Sequence, residues 1–208
     1  DTLRDRRVFL AIMAISFFWT IGAVLFIQFP PLAKNVLSAS KEVASLFLVM
    51  FSVGIALGSV SVNALLKGTV SARYSPISVL VMMGFVFAFW FVCIQWPHHD
   101  ALMDTATFLA QPLAIPLLLS LLGIATAGGM FVVPLYAFLT TFVDKSHTSR
   151  TIAANNIVNS GAMVLGSIIA GALSWLGIPL VHQLLLGAVM CLYSAWLGVQ
   201  LVRAERAA

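Results

Sequence analysis

Long apolar runs broken by short polar punctuation dominate the chain. Six stretches stand out: Val8 to Leu32, which closes on Pro30-Pro31; Val43 to Leu66; Ile77 to Trp96; Leu113 to Val143; Thr151 to Leu176; and Leu180 to Val202. Each is long enough to cross a hydrocarbon core of ~30 Å as a helix, which takes about 20 residues. No run shows the sustained alternation of a barrel strand. In lipid each segment must satisfy its own backbone hydrogen bonds, so six helices are expected. The segment from residue 98 to 111 is expected to be a polar loop of about 15 residues.

Composition agrees with this pattern. Of the 208 residues, 61% are hydrophobic and 9% charged, with a mean hydropathy of +1.04. Soluble domains carry about 25% charged residues, so a soluble enzyme, a disordered tail and a disulfide scaffold are excluded. The net charge of +4 comes from 11 basic against 7 acidic residues, and 11 cations are too few for a nucleic-acid surface. Cys93 and Cys191 fall inside apolar runs and read as small packing residues. The chain opens on Asp1, without Met or a cleavable signal peptide, and is expected to be part of a longer protein.

Six spans place both termini on one side. Arg4, Arg6, Arg7, Lys67, Arg73, Lys145, Arg150, Arg203 and Arg206 then share that side, against Lys34 and Lys41 on the other. Nine cations against two predicts cytoplasmic termini. Trp96 and Trp175 fall at expected outer ends, where indole favours the interface.

The second and fifth spans resemble each other without gaps. Ser52, Leu57, Gly58, Ser59, Ala64 and Leu65 match Ser160, Leu165, Gly166, Ser167, Ala172 and Leu173. Spans one to three and four to six start on opposite sides, and the first and fourth each carry a late proline, Pro31 and Pro134. The expected architecture is an all-α membrane protein with an inverted three-plus-three repeat, the unit nested in each half of a major facilitator transporter. Residues 8–97 form the first repeat and 112–203 the second. Small residues at Ser52, Gly54, Ala56 and Gly58 allow close helix approach, as static packing or as a sliding surface.

No Asp, Glu, Arg or Lys lies deep in a span, so the candidate polar groups are neutral. Asn155 and Asn159 share a face at the start of the fifth span, with Asn156 beside them. Tyr136 lies at a comparable depth in the fourth span, and Gln28 sits beside the proline pair in the first. These five are candidate substrate-binding residues; the competing reading is interhelical hydrogen bonding. Gly128, Gly129 and Pro134 weaken the fourth helix, and Pro31 does the same in the first, as fixed kinks or as gating hinges.

Gly128-Gly-Met-Phe-Val-Val-Pro-Leu-Tyr-Ala137 and Arg150-Thr-Ile-Ala-Ala-Asn-Asn-Ile-Val-Asn159 resemble the lysophospholipid transporters of the major facilitator superfamily. Phe51-Ser-Val-Gly-Ile-Ala-Leu-Gly-Ser59 is similar to members fused to acyltransferase and acyl-carrier-protein synthetase domains. The resemblance spans nearly the whole chain and implies the C-terminal six-helix lobe of a twelve-helix transporter, its N-terminal lobe lying outside residues 1–208. It further implies lysophosphatidylethanolamine or lysophosphatidylglycerol as substrate, carried to the inner leaflet of a bacterial inner membrane for re-acylation. Membrane lipids and fused or associated acylating enzymes are the implied partners. No cofactor, nucleic acid or catalytic activity of the lobe itself is expected. The chain departs from the family at Asn63, where an acidic residue would stand, and at Phe26, where some stand-alone members carry Arg. A hydrophobic-drug exporter and a non-transporting anchor for lipid enzymes are the alternatives.

His99 and Asp104 match the His-x4-Asp spacing of glycerolipid acyltransferases, in which His serves as a base. That chemistry needs a soluble domain around the pair, and here a short loop holds it. The same loop offers His98, His99, Asp100 and Asp104 as metal donors at undiagnostic spacing, so a hydrated loop is the favoured reading.

The cation split yields a direct test of topology. A cysteine introduced between residues 98 and 111 should react with an impermeant maleimide added from outside intact cells, whereas labelling from the cytoplasm alone would reverse the orientation.

Overall fold

The computed structural model describes residues 5–143 and 145–206, so Arg4, among the nine cations, lies outside the described residues. Seven helices make up the described chain: α1 (Arg6–Asn35), α2 (Lys41–Leu66), α3 (Ser75–Ile94), α4 (Thr105–Leu109), α5 (Ala114–Phe142), α6 (Lys145–Trp175) and α7 (Leu180–Arg206). All but α4 are long and apolar enough to cross a membrane. Local chemistry sets several ends. The Asp5 carboxylate accepts the Arg7 N–H at 2.8 Å and caps α1. Lys67, at φ 49°, and Gly68, at φ 76°, turn the chain out of α2 through left-handed backbone.

Four expectations are corrected. α1 does not stop at its prolines but continues to Asn35. Pro30 and Pro31 free the carbonyls of Phe26 and Ile27, and both of those residues lie on the exposed side of α1. α6 begins at Lys145, six residues before the apolar run, because polar residues there extend the helix beyond its apolar length. The 98–111 loop contains α4, capped by Asp104. Trp96 does not face outward as a belt indole would: it is buried, donates from Nε1 to the Leu37 carbonyl at 3.0 Å and stacks on Phe108 at 5.2 Å. Trp175, by contrast, is 87% exposed.

Contacts at the two ends show that successive long helices run antiparallel. At one end Arg6 donates to Gln200, the Arg7 guanidinium lies 4.0 Å over the Phe142 ring, and Glu205 accepts from Ser71 and the Ala72 N–H. At the other end Met103 N–H donates to the Ser38 carbonyl at 2.7 Å and Ser40 N–H to the Met103 carbonyl at 2.9 Å. These two bonds strap the α1–α2 turn to the segment before α4.

The packing is arranged around α1 and α5. α1 lies against α6 and α7, while α5 lies against α2 and α3; α1 and α5 touch each other, as do α3 and α7. α1 is the most buried of the six long helices and α6 the least. With no water to drive helices together in lipid, close van der Waals fit must do so. α2 and α5 achieve it through glycine. A Cβ on Gly58 would collide with the Thr126 carbonyl oxygen, one on Gly54 would stand 2.9 Å from the Leu122 carbonyl oxygen, and one on Gly129 would stand 2.7 Å from that of Ile55. On the other flank a Cβ on Gly166 of α6 would collide with the Thr20 methyl of α1.

Backbone cannot step aside as a flexible side chain does. Gly58→Ala should therefore destabilise the bundle by ~1–3 kcal/mol. Gly84→Ala, where an added Cβ meets nothing within 4 Å, should stabilise it by ~0.5–1 kcal/mol. Thermal unfolding in detergent reads both, and equal shifts would show that the α2–α5 approach is not the sensitive contact.

Candidate functional site

Polar side chains from three helices meet inside the bundle. Ser16 and Trp19 come from α1, Tyr136 from α5 and Asn159 from α6. The Ser16 hydroxyl lies 2.7 Å from Asn159 Oδ1 and 2.8 Å from its own Ile12 carbonyl, so its single proton is shared between two acceptors. Asn159 Nδ2 donates to the Tyr136 hydroxyl at 3.4 Å, and Trp19 Nε1 donates to the same oxygen at 2.8 Å. Tyr136 thus accepts twice, and its own proton takes no part in these bonds. Ser16 and Asn159 are buried, Tyr136 is half-buried and Trp19 reaches the surface at 36% exposure.

Asn155 lies one turn before Asn159 on the same buried face. Its Nδ2 reaches Asn156 Oδ1 at 3.5 Å, and its Oδ1 is buried without a partner. A buried amide oxygen left unpaired costs ~1–3 kcal/mol, which makes it a ready acceptor for an incoming donor. The network therefore presents one spare donor, at Tyr136, and Asn155, one turn from Asn159 and not bonded to the network, adds a spare acceptor. Of the sequence-derived candidates, the structure brings Tyr136 and Asn159 into contact and sets Asn155 beside them. Asn156 is exposed and lies outside the network.

Gln28 belongs elsewhere. It stands 12 residues after Ser16 on α1, ~18 Å along the helix. Its Nε2 donates to Gln183 Oε1 at 3.0 Å, and Gln183 Nε2 donates to Ser174 Oγ at 2.9 Å and the Ile178 carbonyl at 3.0 Å. This ladder joins α1 to the end of α6 and the start of α7. Gln28 Oε1 is a second buried acceptor without a partner.

The gating candidates sit at helix contacts. Gly129 lies on the α2 backbone, and a Cβ on Gly128 would stand 2.7 Å from the Phe18 ring. Pro134 is buried inside an α5 that runs unbroken to Phe142, and Pro31 is half-buried near the end of α1.

Ser16, Trp19, Ser174 and Gln183 were missed by the sequence reading. Trp19 carried a usable signal, because a tryptophan in mid-span stands away from the interfacial belts that indole prefers. Gln183 had one too, as an amide inside an apolar run. In the polar loop, Asp104 Oδ1 accepts the Thr107 N–H at 2.8 Å, and that hydrogen bond lowers its pKa below the ordinary carboxylate range. His99 Nδ1 lies 2.9 Å from the Pro97 carbonyl. Each residue of the His-x4-Asp pair is thus engaged with local backbone. No group of three or more potential metal-binding side chains occurs among the described residues.

Fold and site together define a polytopic helical membrane protein with a neutral polar network between its helices. Comparison with known proteins finds no matching family, curated protein or solved structure.

The network has an energetic signature. Interhelical hydrogen bonds in membranes average ~0.6 kcal/mol and reach ~1.7 kcal/mol. A double-mutant cycle of Trp19→Phe and Tyr136→Phe, read by unfolding in detergent, should return a coupling in that range. Additive effects would mean that the Trp19–Tyr136 bond contributes nothing.

Proposed function

We propose that the chain is one six-helix lobe of a major facilitator transporter that moves lysophospholipids from the outer to the inner leaflet by alternating access. The observation that carries the substrate reading is the neutrality of the network: Ser16, Trp19, Tyr136 and Asn159, with Asn155 one turn away, offer hydrogen bonds inside the bundle without an ion-binding carboxylate or a fixed cation. A single-chain lipid can keep its chain in apolar surroundings and asks few hydrogen bonds of such a surface, whereas a sugar needs many polar partners; the charged headgroup atoms must stay hydrated or be met by the other lobe.

The lobe reading draws support from packing. Exchanging the first three long helices for the last three turns the α1 contacts with α6 and α7 into the α5 contacts with α2 and α3. The same exchange relates Gly58 on Thr126 to Gly166 on Thr20, and these two glycines are aligned in the internal repeat. Substrate sites of such folds lie between two halves. The outward apolar side chains of α2 and α6, such as Val53, Leu57, Ile157 and Val164, are then covered in part by the N-terminal lobe. In this reading both termini are cytoplasmic, the membrane is a bacterial inner membrane, and fused or neighbouring acyltransferases consume the delivered lipid.

The test uses the full parent protein in liposomes with labelled lysophosphatidylethanolamine in the outer leaflet. Accelerated inward movement, slowed at least several-fold by Asn155→Ala or Asn159→Ala without loss of folding, is the expected result. Movement of a cationic drug instead would favour an exporter, and movement of neither would favour an anchor for lipid enzymes. If the replacements lower thermal stability alone, the asparagines hold helices together and do not bind substrate.

A further inference from the structure

Beside the polar network, α1, α2 and α5 line a half-open recess of about 350 Å3. That is more than twice the ~150 Å3 apolar cavities that stay dry and accept benzene, and it falls in the range of small-molecule sites. We propose that this recess, walled by Phe18, Trp19, Gly22, Phe26, Phe51 and Ile55, binds one linear alkyl chain, with the polar end of that molecule met at Tyr136.

Three observations carry this. First, the wall is almost wholly carbon. The hydroxyl of Ser52, at its edge, donates to the Leu48 carbonyl at 2.9 Å and asks nothing of an occupant. The aromatic walls hold one another, Phe26 against Phe51 at 4.9 Å and Phe18 against Trp19 at 5.6 Å, so the space is preformed. Second, Gly22 is buried, yet a Cβ built there meets nothing within 4 Å. Unlike Gly58 or Gly129, it lets no neighbouring helix approach; what it leaves is volume. Third, the recess and the network share a wall. The Trp19 ring lines the recess while its Nε1 donates to Tyr136, and the lining residue Val132 lies one turn from Tyr136 on the same face of α5. An amphiphile with its chain in the recess brings its first polar atoms to the spare Tyr136 proton. The chain site stands on this geometry, and it rests on the transport reading for the headgroup alone.

The probes are a diazirine-bearing C16 fatty alcohol, the matching lysophosphatidylethanolamine and its diacyl analogue. Each is photolysed with the full chain in phosphatidylcholine nanodiscs and mapped by mass spectrometry. Both single-chain probes should attach between Phe18 and Phe26 and between Phe51 and Ile55. Gly22→Leu, which fills the recess, should cut that labelling at least tenfold, while Gly84→Leu on α3 leaves it unchanged. Should Gly22→Leu fail to fold, Ser52→Phe closes the same space from an exposed position. Labelling spread over outward residues such as Ile77, Leu80 and Leu192, and indifferent to either filling variant, overturns the proposal. So does equal labelling of the recess by the diacyl probe, which would make it a surface groove filled by bulk lipid. Recess labelling by the fatty alcohol with no lysolipid movement by the parent protein sinks the transport reading and keeps the chain site. Lysolipid movement by the parent protein with recess labelling indifferent to Gly22→Leu does the reverse.

Discussion

The approach of α2 to α5, main chain against main chain at Gly54, Gly58 and Gly129, is the contact on which the bundle depends. In lipid, apolar side chains gain nothing by turning inward, so helices associate by fit. α5 reaches that fit with α2 through missing side chains, and α3 packs beside α5. α1 takes the corresponding position between α6 and α7, with Gly166 set against Thr20. Two well-embedded helices, each flanked by two others, leave α2 and α6 with broad outward faces. The polar network lies where α1, α5 and α6 converge, and the recess where α1 meets α2 and α5.

The spans were legible because their apolar runs are long and uninterrupted, as in Ile77 to Trp96. Their ends were less so. Pro30-Pro31 reads as a stop in sequence, but each proline removes a single intrahelical bond while keeping a helical φ, and α1 carries on to Asn35. Lys145 to Arg150 are polar, and hydropathy counts them as loop although they form the first turns of α6. Trp96 illustrates a different limit. A tryptophan at the end of an apolar run fits the interfacial belt, and nothing local says that Leu37, 59 residues earlier, supplies a carbonyl for it.

The site was half legible for a related reason. Helical spacing places Asn155 and Asn159 on one face, and that part follows from sequence. Which neighbour they face depends on how α6 packs on α1, a long-range outcome that spacing does not encode. Gln28 shows the cost of gathering neutral polar residues into one candidate set: it belongs to a separate ladder with Gln183 and Ser174. Conversely, a lone serine in an apolar run such as Ser16 carries no signal of its own, and its role depends on Asn159 lying opposite it.

The strap between the α1–α2 turn and the segment before α4 reaches beyond local order. Ser38 adopts left-handed backbone, at φ 48°, to present its carbonyl to Met103, and the Ser40 N–H returns a bond to the Met103 carbonyl. Two amides in connecting segments at the water-facing rim are therefore withheld from solvent. Their hydrogen exchange follows the opening of the strap, not the fast intrinsic rate of a free loop. Trp96 and Phe108 stack beneath it, and Phe47 of α2 lies 6.0 Å from Phe108. The rim is thus a small folded plate, and a swing of α1 or α2 at that end must carry the plate along or break it.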